Sequence, residues 1–173
     1  MNYATIKPID IANGIGIRVS LFVSGCNHKC KGCFNSEAWD FKYGQPFTKE
    51  TEEKIFSALM PDYIEGFSLL GGEPFEPKNQ EALLPFLKRL KQKFPDKNIW
   101  CYTGFLFEDI VQGNVGHKVV ANEILSLIDV LVDGKFVEEL KDLNLRFRGS
   151  SNQRIIDVKK SIINNKVILL NDF

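Results

Sequence analysis

IRVSLFVSGCNHKCKGC, residues 17–33, runs a β-branched and aromatic segment straight into three cysteines and a histidine. The first nine residues read as a strand over 17–25, introduced by the turn signal Asn13-Gly14. Three of the chain's four cysteines and one of its two histidines then fall within eight positions. A disulfide would use only two of those thiols, a closed zinc site normally takes four ligands, and an iron-sulfur cluster is held by thiolates on a short loop. Cys30-x-x-Cys33 suits any thiophilic metal, and Cys26 adds a third thiolate with no fourth nearby. Three ligands and one vacant position make an open site; a 4Fe-4S cluster so held keeps one iron free for a substrate. Cys101 lies on an expected strand, where a small buried hydrophobe is its simplest role. His28 sits inside the loop, where closing a tetrahedral zinc site would strain the chain, and reads as a solvated imidazole.

Outward from this segment, strands and helices alternate. Thr48 opens a helix with acidic residues in its first turn, and residues 64–70 form a second strand that ends at Gly71-Gly72-Glu73-Pro74. An amphipathic helix follows over 78–94, with Leu83, Leu84, Leu87 and Leu90 on one face, and Pro95 stops it. NIWCY, 98–102, reads as a third strand, FLFEDIVQ and VANEILSLI as short helices, and DVLVDGKF holds a fourth strand ending near Asp133. Residues 34–47 show no sustained period, and the tail from Arg146 has only short apolar runs at 155–158 and 167–170. Strand–helix alternation predicts an α/β fold with parallel strands, an open sheet or part of a (β/α) barrel, in which ligands gather at the carboxyl ends of the strands. The cysteines, Gly71-Gly72-Glu73-Pro74, Thr103-Gly104 and Asp133-Gly134-Lys135 each follow a strand, so one face would carry all four. Each taken alone is also a plain turn. As a site, paired glycines admit a small molecule close to the backbone, and Glu73 and Asp133 offer carboxylates to an ammonium or to ribose hydroxyls.

Composition sets the outer limits. The 173 residues suit a single domain, 1–173, able to bury a core without disulfides. Apolar content of 44% is that of a globular protein, and 22 basic residues balance 22 acidic ones, which gives no electrostatic case for nucleic acid or a membrane surface. Neither a signal peptide nor an eighteen-residue apolar run is present, so a reducing cytoplasm is expected.

The combination of Cys26-x3-Cys30-x2-Cys33 with Gly71-Gly72-Glu73-Pro74 resembles the radical S-adenosylmethionine superfamily. More narrowly, NGIGIRVSLFVSGCNHKCKGCFN, LLGGEP, YTG, DVLVDGKF and RFRGSSNQRIIDV look like pieces of the anaerobic ribonucleoside-triphosphate reductase activating proteins, over nearly the whole chain. The resemblance implies a minimal, partial (β/α) barrel. It implies Cys26, Cys30 and Cys33 as ligands of a 4Fe-4S cluster, whose fourth iron chelates the amino and carboxylate groups of S-adenosyl-L-methionine. Gly71, Gly72, Glu73 and Pro74 would then receive the ammonium, Gly32 and Phe34 the adenosyl group, and Thr103, Asp133 and Lys135 the rest of the ligand. The wider superfamily often has an aromatic residue before the third cysteine; here it is Gly32, so adenine stacking either passes to Phe34 or is absent. The implied activity is reductive cleavage of S-adenosyl-L-methionine to a 5′-deoxyadenosyl radical, which takes hydrogen from a glycine Cα of the partner reductase. No acid-base pair is needed, and no catalytic side chain is expected. A flavodoxin-type protein is the implied electron donor. Two other readings stand beside it: a radical enzyme acting on a small metabolite, such as a 7-carboxy-7-deazaguanine synthase, or a zinc-stabilised interaction module. Arg148, Asn152, Gln153 and Arg154 would steady the partner's glycyl loop or the ligand, or else form a solvated tail. His117 is expected at the surface or at a helix cap.

Overall fold

In the computed structural model, which describes residues 1–170, the chain forms seven strands and five α-helices. They run β1 (Asn2–Asp10), β2 (Ile17–Val23), β3 (Gln45–Pro46), α1 (Lys49–Leu59), β4 (Ile64–Gly71), α2 (Pro77–Lys93), β5 (Asn98–Tyr102), α3 (Phe107–Gln112), α4 (Lys118–Leu127), β6 (Val130–Asp133), β7 (Arg154–Asp157) and α5 (Val158–Asn164). The sheet order is β3-β1-β2-β4-β5-β6-β7. The inner four, β2, β4, β5 and β6, are parallel, joined by α1, by α2 and by the pair α3 and α4. Those crossovers are what parallel pairing demands, because a parallel partner cannot be reached through a tight turn. The α/β architecture expected from the alternation is present, and the sheet is open rather than closed into a barrel.

Three strands were not expected. β1 and β3 extend the sheet antiparallel beyond β2, and β7 pairs antiparallel with β6. β1, sequence NYATIKPID, is half-exposed and carries Pro8, and so lacks the apolar density that marks a buried strand. β7 is four residues long, and its two buried side chains, Ile155 and Ile156, give too short a period to read. β2 also ends two residues earlier than expected, at Val23, because Ser24 and Gly25 turn the chain into the cysteine loop.

Side-chain alternation sorts the sheet into two faces. Val19, Leu21 and Val23 of β2, Phe67 and Leu69 of β4, Ile99 and Cys101 of β5 and Leu131 of β6 pack in the main core with the apolar stripes of the helices. Phe86 of α2 is its aromatic centre, with Phe47, Phe56 and Phe67 rings at centroid distances of 5.3, 5.8 and 5.6 Å. The opposite face carries Arg18, Ser20, Ser68, Trp100, Tyr102 and Val132, and a smaller cluster with Phe147 and Leu170 closes part of it. Arg18 is fully buried there: Nε donates to Ser68 Oγ (2.7 Å), the other nitrogens to the carbonyls of Ile15, Phe67 and Asn98, and the guanidinium lies over Trp100. Burial brings its pKa down to about 10, which still leaves the side chain charged at neutral pH. No helix among the described residues is long and apolar enough to cross a membrane.

Asp129, between α4 and β6, ties the far end of the sheet to the helices. Burial alone would raise its carboxyl pKa, but Lys159, Lys91 (2.9 Å) and the Ile99 N–H (2.7 Å) outweigh that and hold it below its ordinary 3.8. A depressed carboxyl stabilises the fold above its unfolded pKa, and that share is lost as the pH falls through the folded value. We expect urea midpoints to drop between pH 5 and pH 3, with a smaller drop in Asp129→Asn. Equal drops in the two proteins would show that Asp129 contributes nothing to acid sensitivity.

Candidate functional site

One cleft of about 460 Å³ opens at the carboxyl ends of the parallel strands. Cys26, Cys30 and Cys33 line it together with Gly71, Gly72 and Glu73 of the turn after β4 and Thr103 and Gly104 after β5. Parallel strands all end on the same side, so loops far apart in sequence converge there.

The two loops at its centre are fastened by their backbones. Gly72 N–H donates to Val23 O (2.7 Å) and Glu73 N–H to Gly25 O (2.8 Å), which sets the glycine turn directly beside the start of the cysteine loop. Both glycines are required. Gly71 has φ +114°, and a Cβ there would come within 2.5 Å of the Val23 backbone; one at Gly72 would lie 2.6 Å from Gly25 O. The cysteine loop then folds on itself, with Cys33 N–H donating to Cys30 O (3.1 Å).

All four cysteines are free thiols. Burial pushes the Cys26 thiol up to about 11, against the opposing backbone N–H groups of His28 and Lys29. Cys30 is raised by burial and by neighbouring Cys33, against an N–H from Phe136 and the charge of Lys135. A bound metal displaces such protons directly, so thiols that hold their protons when free are ligands once the metal arrives. Cys101 is on β5, fully buried and turned toward the helices, as expected of a packing residue.

Glu73 is 1% exposed, and its carboxylate is occupied. Oε1 accepts from the Phe75 N–H (2.9 Å) and from Thr103 Oγ1 (2.8 Å); Oε2 accepts from the Gly104 N–H (2.8 Å) and lies 3.0 Å from His28 Nε2. His28 is therefore not solvated, contrary to the sequence reading. Its side chain is 8% exposed, packed edge-on to Phe105 at 4.4 Å. A histidine–carboxylate contact across 45 residues leaves no signal in the linear sequence. Next to it, Asn27 donates its backbone N–H (2.8 Å) and its side-chain amide (2.9 Å) to the buried Glu76 carboxylate. Neither Asn27 nor Glu76 stood out in the sequence.

Of the other expected ligand contacts, Gly32 and Phe34 line the cleft, Phe34 with 86% exposure at its rim. Pro74, Asp133 and Lys135 do not line it. Pro74 is buried beneath the turn, and Lys135 points to solvent beside the loop that reaches Cys30. The Asp133 carboxylate is fully buried and committed within the protein: Arg154 approaches it with Nε (2.9 Å) and Nη2 (2.5 Å), and the Phe107 N–H donates at 2.8 Å. The polar tail is hydrogen-bonded to the fold rather than free, although Asn152 stays exposed. Gln153 accepts from the Gly149 and Ser150 N–H groups and donates to Gly134 O, while Asn152 donates to Lys135 O, so residues 148–154 brace the loop after β6. Gly149, Arg148 and Gln153 also line the cleft, with Phe136, Leu145 and Phe147 adding apolar wall that the sequence did not reveal. His117 is at the surface as expected, 3.6 Å from Glu81.

The donor set fits a thiolate-held cluster: three unpaired thiols on one loop facing one cleft, and the fourth turned away. Among the described residues, no three His, Cys, Asp or Glu side chains stand ready to hold a single metal ion.

Residues 12–156 match a family described as a 4Fe-4S single cluster domain. The chain is 44% identical over 155 residues to the anaerobic ribonucleoside-triphosphate reductase-activating protein of Escherichia coli K12, covering 88% of this chain and 96% of that one. It is 43% identical over 157 residues to the protein of that name from Pasteurella multocida, covering 90% and 96%, and 44% identical over 155 residues to that of phage T4, covering 90% and 93%.

Proposed function

The chain belongs to the anaerobic ribonucleoside-triphosphate reductase-activating proteins, and we propose that it activates such a reductase by generating a glycyl radical on it. The observation that carries this is the convergence of three free cysteines and the Gly71-Gly72 turn on one cleft, with the fourth cysteine excluded from it. Cys26, Cys30 and Cys33 are the residues that would hold a 4Fe-4S cluster, beside the cleft that would take S-adenosyl-L-methionine. Such a cluster would supply the one-electron reduction that cleaves S-adenosyl-L-methionine, the chemistry needed to form a glycyl radical on the reductase.

The rest is the work of this chain's residues. With the Glu73 carboxylate occupied by Thr103, Gly104 and His28, the substrate ammonium falls to backbone carbonyls along Gly71-Gly72, with the Glu73 charge behind them. Gly32 and Phe34 flank the adenosyl group, and Phe136 and Phe147 supply apolar wall that keeps water from it. No general acid or base is required. The one histidine–carboxylate pair in the cleft is a structural contact, since both Glu73 oxygens already accept from other donors. The four parallel strands act as the arc of a partial (β/α) barrel in a single domain. A flavodoxin-type protein in a reducing cytoplasm supplies the electron.

The test is anaerobic reconstitution with iron and sulfide, reduction with S-adenosyl-L-methionine and the reductase present, and electron paramagnetic resonance. A glycyl-radical doublet on the reductase is expected. Cluster-dependent 5′-deoxyadenosine without a protein radical would instead indicate a small metabolite, as in a 7-carboxy-7-deazaguanine synthase, and a zinc-loaded, iron-free protein would indicate an interaction module.

A further inference from the structure

The turn after β4 and the start of α2 place two buried carboxylates, Glu73 and Glu76, against two successive residues of the cysteine loop. Glu76 is the N-cap residue of α2, yet its side chain makes no capping bond; both oxygens go to Asn27 instead. Glu73 reaches His28 on the next residue, and His28 is wedged between the Phe105 ring and Gly104, where a Cβ would lie 2.5 Å from the imidazole. These contacts span 49 and 45 residues, and they fall on the two positions directly after Cys26, inside the interval that separates it from Cys30.

We propose that Asn27 and His28, gripped by Glu76 and Glu73, are positioning residues that preset the Cys26–Cys30 segment for cluster binding before any metal arrives. This rests on the reading of Cys26, Cys30 and Cys33 as cluster ligands. The physical reason is entropic: a free eight-residue loop must lose backbone freedom, about 1–2 kcal/mol per fixed residue, when its thiolates converge. A loop already ordered by three charge-assisted hydrogen bonds has met that cost on folding. It also gives Glu73 a role different from that of a direct ligand group, because its carboxylate holds the loop that carries the ligands.

Donor and acceptor can be exchanged at the Asn27–Glu76 contact, which supplies a test that general destabilisation does not mimic. Asn27→Asp sets two carboxylates against each other. Adding Glu76→Gln removes that repulsion: the new side-chain amide donates to the new carboxylate, and its carbonyl still accepts from the backbone N–H of the loop. In metal-free protein, Asn27→Asp is expected to speed amide hydrogen exchange over residues 26–33 at least tenfold, leaving β4 amides unchanged, and Asn27→Asp/Glu76→Gln to bring exchange back to within about threefold of wild type. On reconstitution, the single variant takes up iron and sulfide at least tenfold more slowly, and the double variant recovers the wild-type rate.

Should Asn27→Asp not fold, His28→Phe, which keeps the ring packing and loses the bond to Glu73, is expected to show the same local tenfold acceleration, with His28→Gln recovering it. Wild-type exchange rates in the single variants, or a double variant as fast as Asn27→Asp, would overturn the clamp. Wild-type protein that orders this loop yet binds no 4Fe-4S cluster would overturn the function reading and leave the clamp to be judged by the exchange rates.

Discussion

Cys30→Ala loses the iron-sulfur cluster and all radical formation, whereas Cys101→Ala keeps both. Three thiols face the cleft, which is the minimum for a cluster with one open iron, and removing any of them leaves two. No other thiol can substitute, because Cys101 is fully buried on the helix-covered face of β5 and burial raises its pKa well above the ordinary value. Its replacement removes a small side chain from the core, at a cost of about 1 kcal/mol. The measurements are iron and sulfide per chain after anaerobic reconstitution, and the resonance spectrum of the reduced protein. A full cluster in Cys30→Ala, or an empty Cys101→Ala, would sink the three-ligand assignment.

Asp133→Ala destabilises the fold and leaves the affinity for S-adenosyl-L-methionine of the folded fraction intact. The sequence placed this carboxylate among the ligand contacts. In the structure it has no exposure and receives Arg154 at two points and the Phe107 N–H at a third, so it joins β6 to β7 and to the start of α3. Removing one member of a buried charged pair costs about 3–5 kcal/mol, and the lower end applies because Arg154 is partly exposed and keeps Glu108 at 2.7 Å. A loss of about 3 kcal/mol in a chain of this size lowers Tm by roughly 6–12 °C. Thermal unfolding of the metal-free protein measures this directly. An unchanged Tm together with lost ligand affinity would return Asp133 to the ligand shell.

Asp133 and Gly71-Gly72 carry different kinds of information. Both follow a parallel strand, and both read from sequence as turns that could meet a ligand. The glycines do line the cleft, and they do so for a reason intrinsic to their residue type: no side chain fits between their backbone and that of Val23 and Gly25. An aspartate has two uses at such a position, to meet a ligand or to meet an arginine, and the arginine here comes from 21 residues away. The same holds for His28, read as solvated and found against Glu73, and for Asn27 and Glu76, which carried no signal at all.

The sequence by itself determined the parallel α/β order, the three-thiolate spacing, the glycine turn and the burial of Cys101, because periodicity, residue type and local spacing are properties of neighbouring positions. Tertiary structure alone decided that the sheet has antiparallel edges from β1, β3 and β7, that Asp133 faces inward to Arg154, and that Glu73 and Glu76 hold the cysteine loop. The carboxylate contacts each rest on a polar group finding its partner across 21 to 49 residues of chain. Short-range pattern can say that a buried carboxylate must be paired, but which donor reaches it is fixed only when the strands are laid side by side.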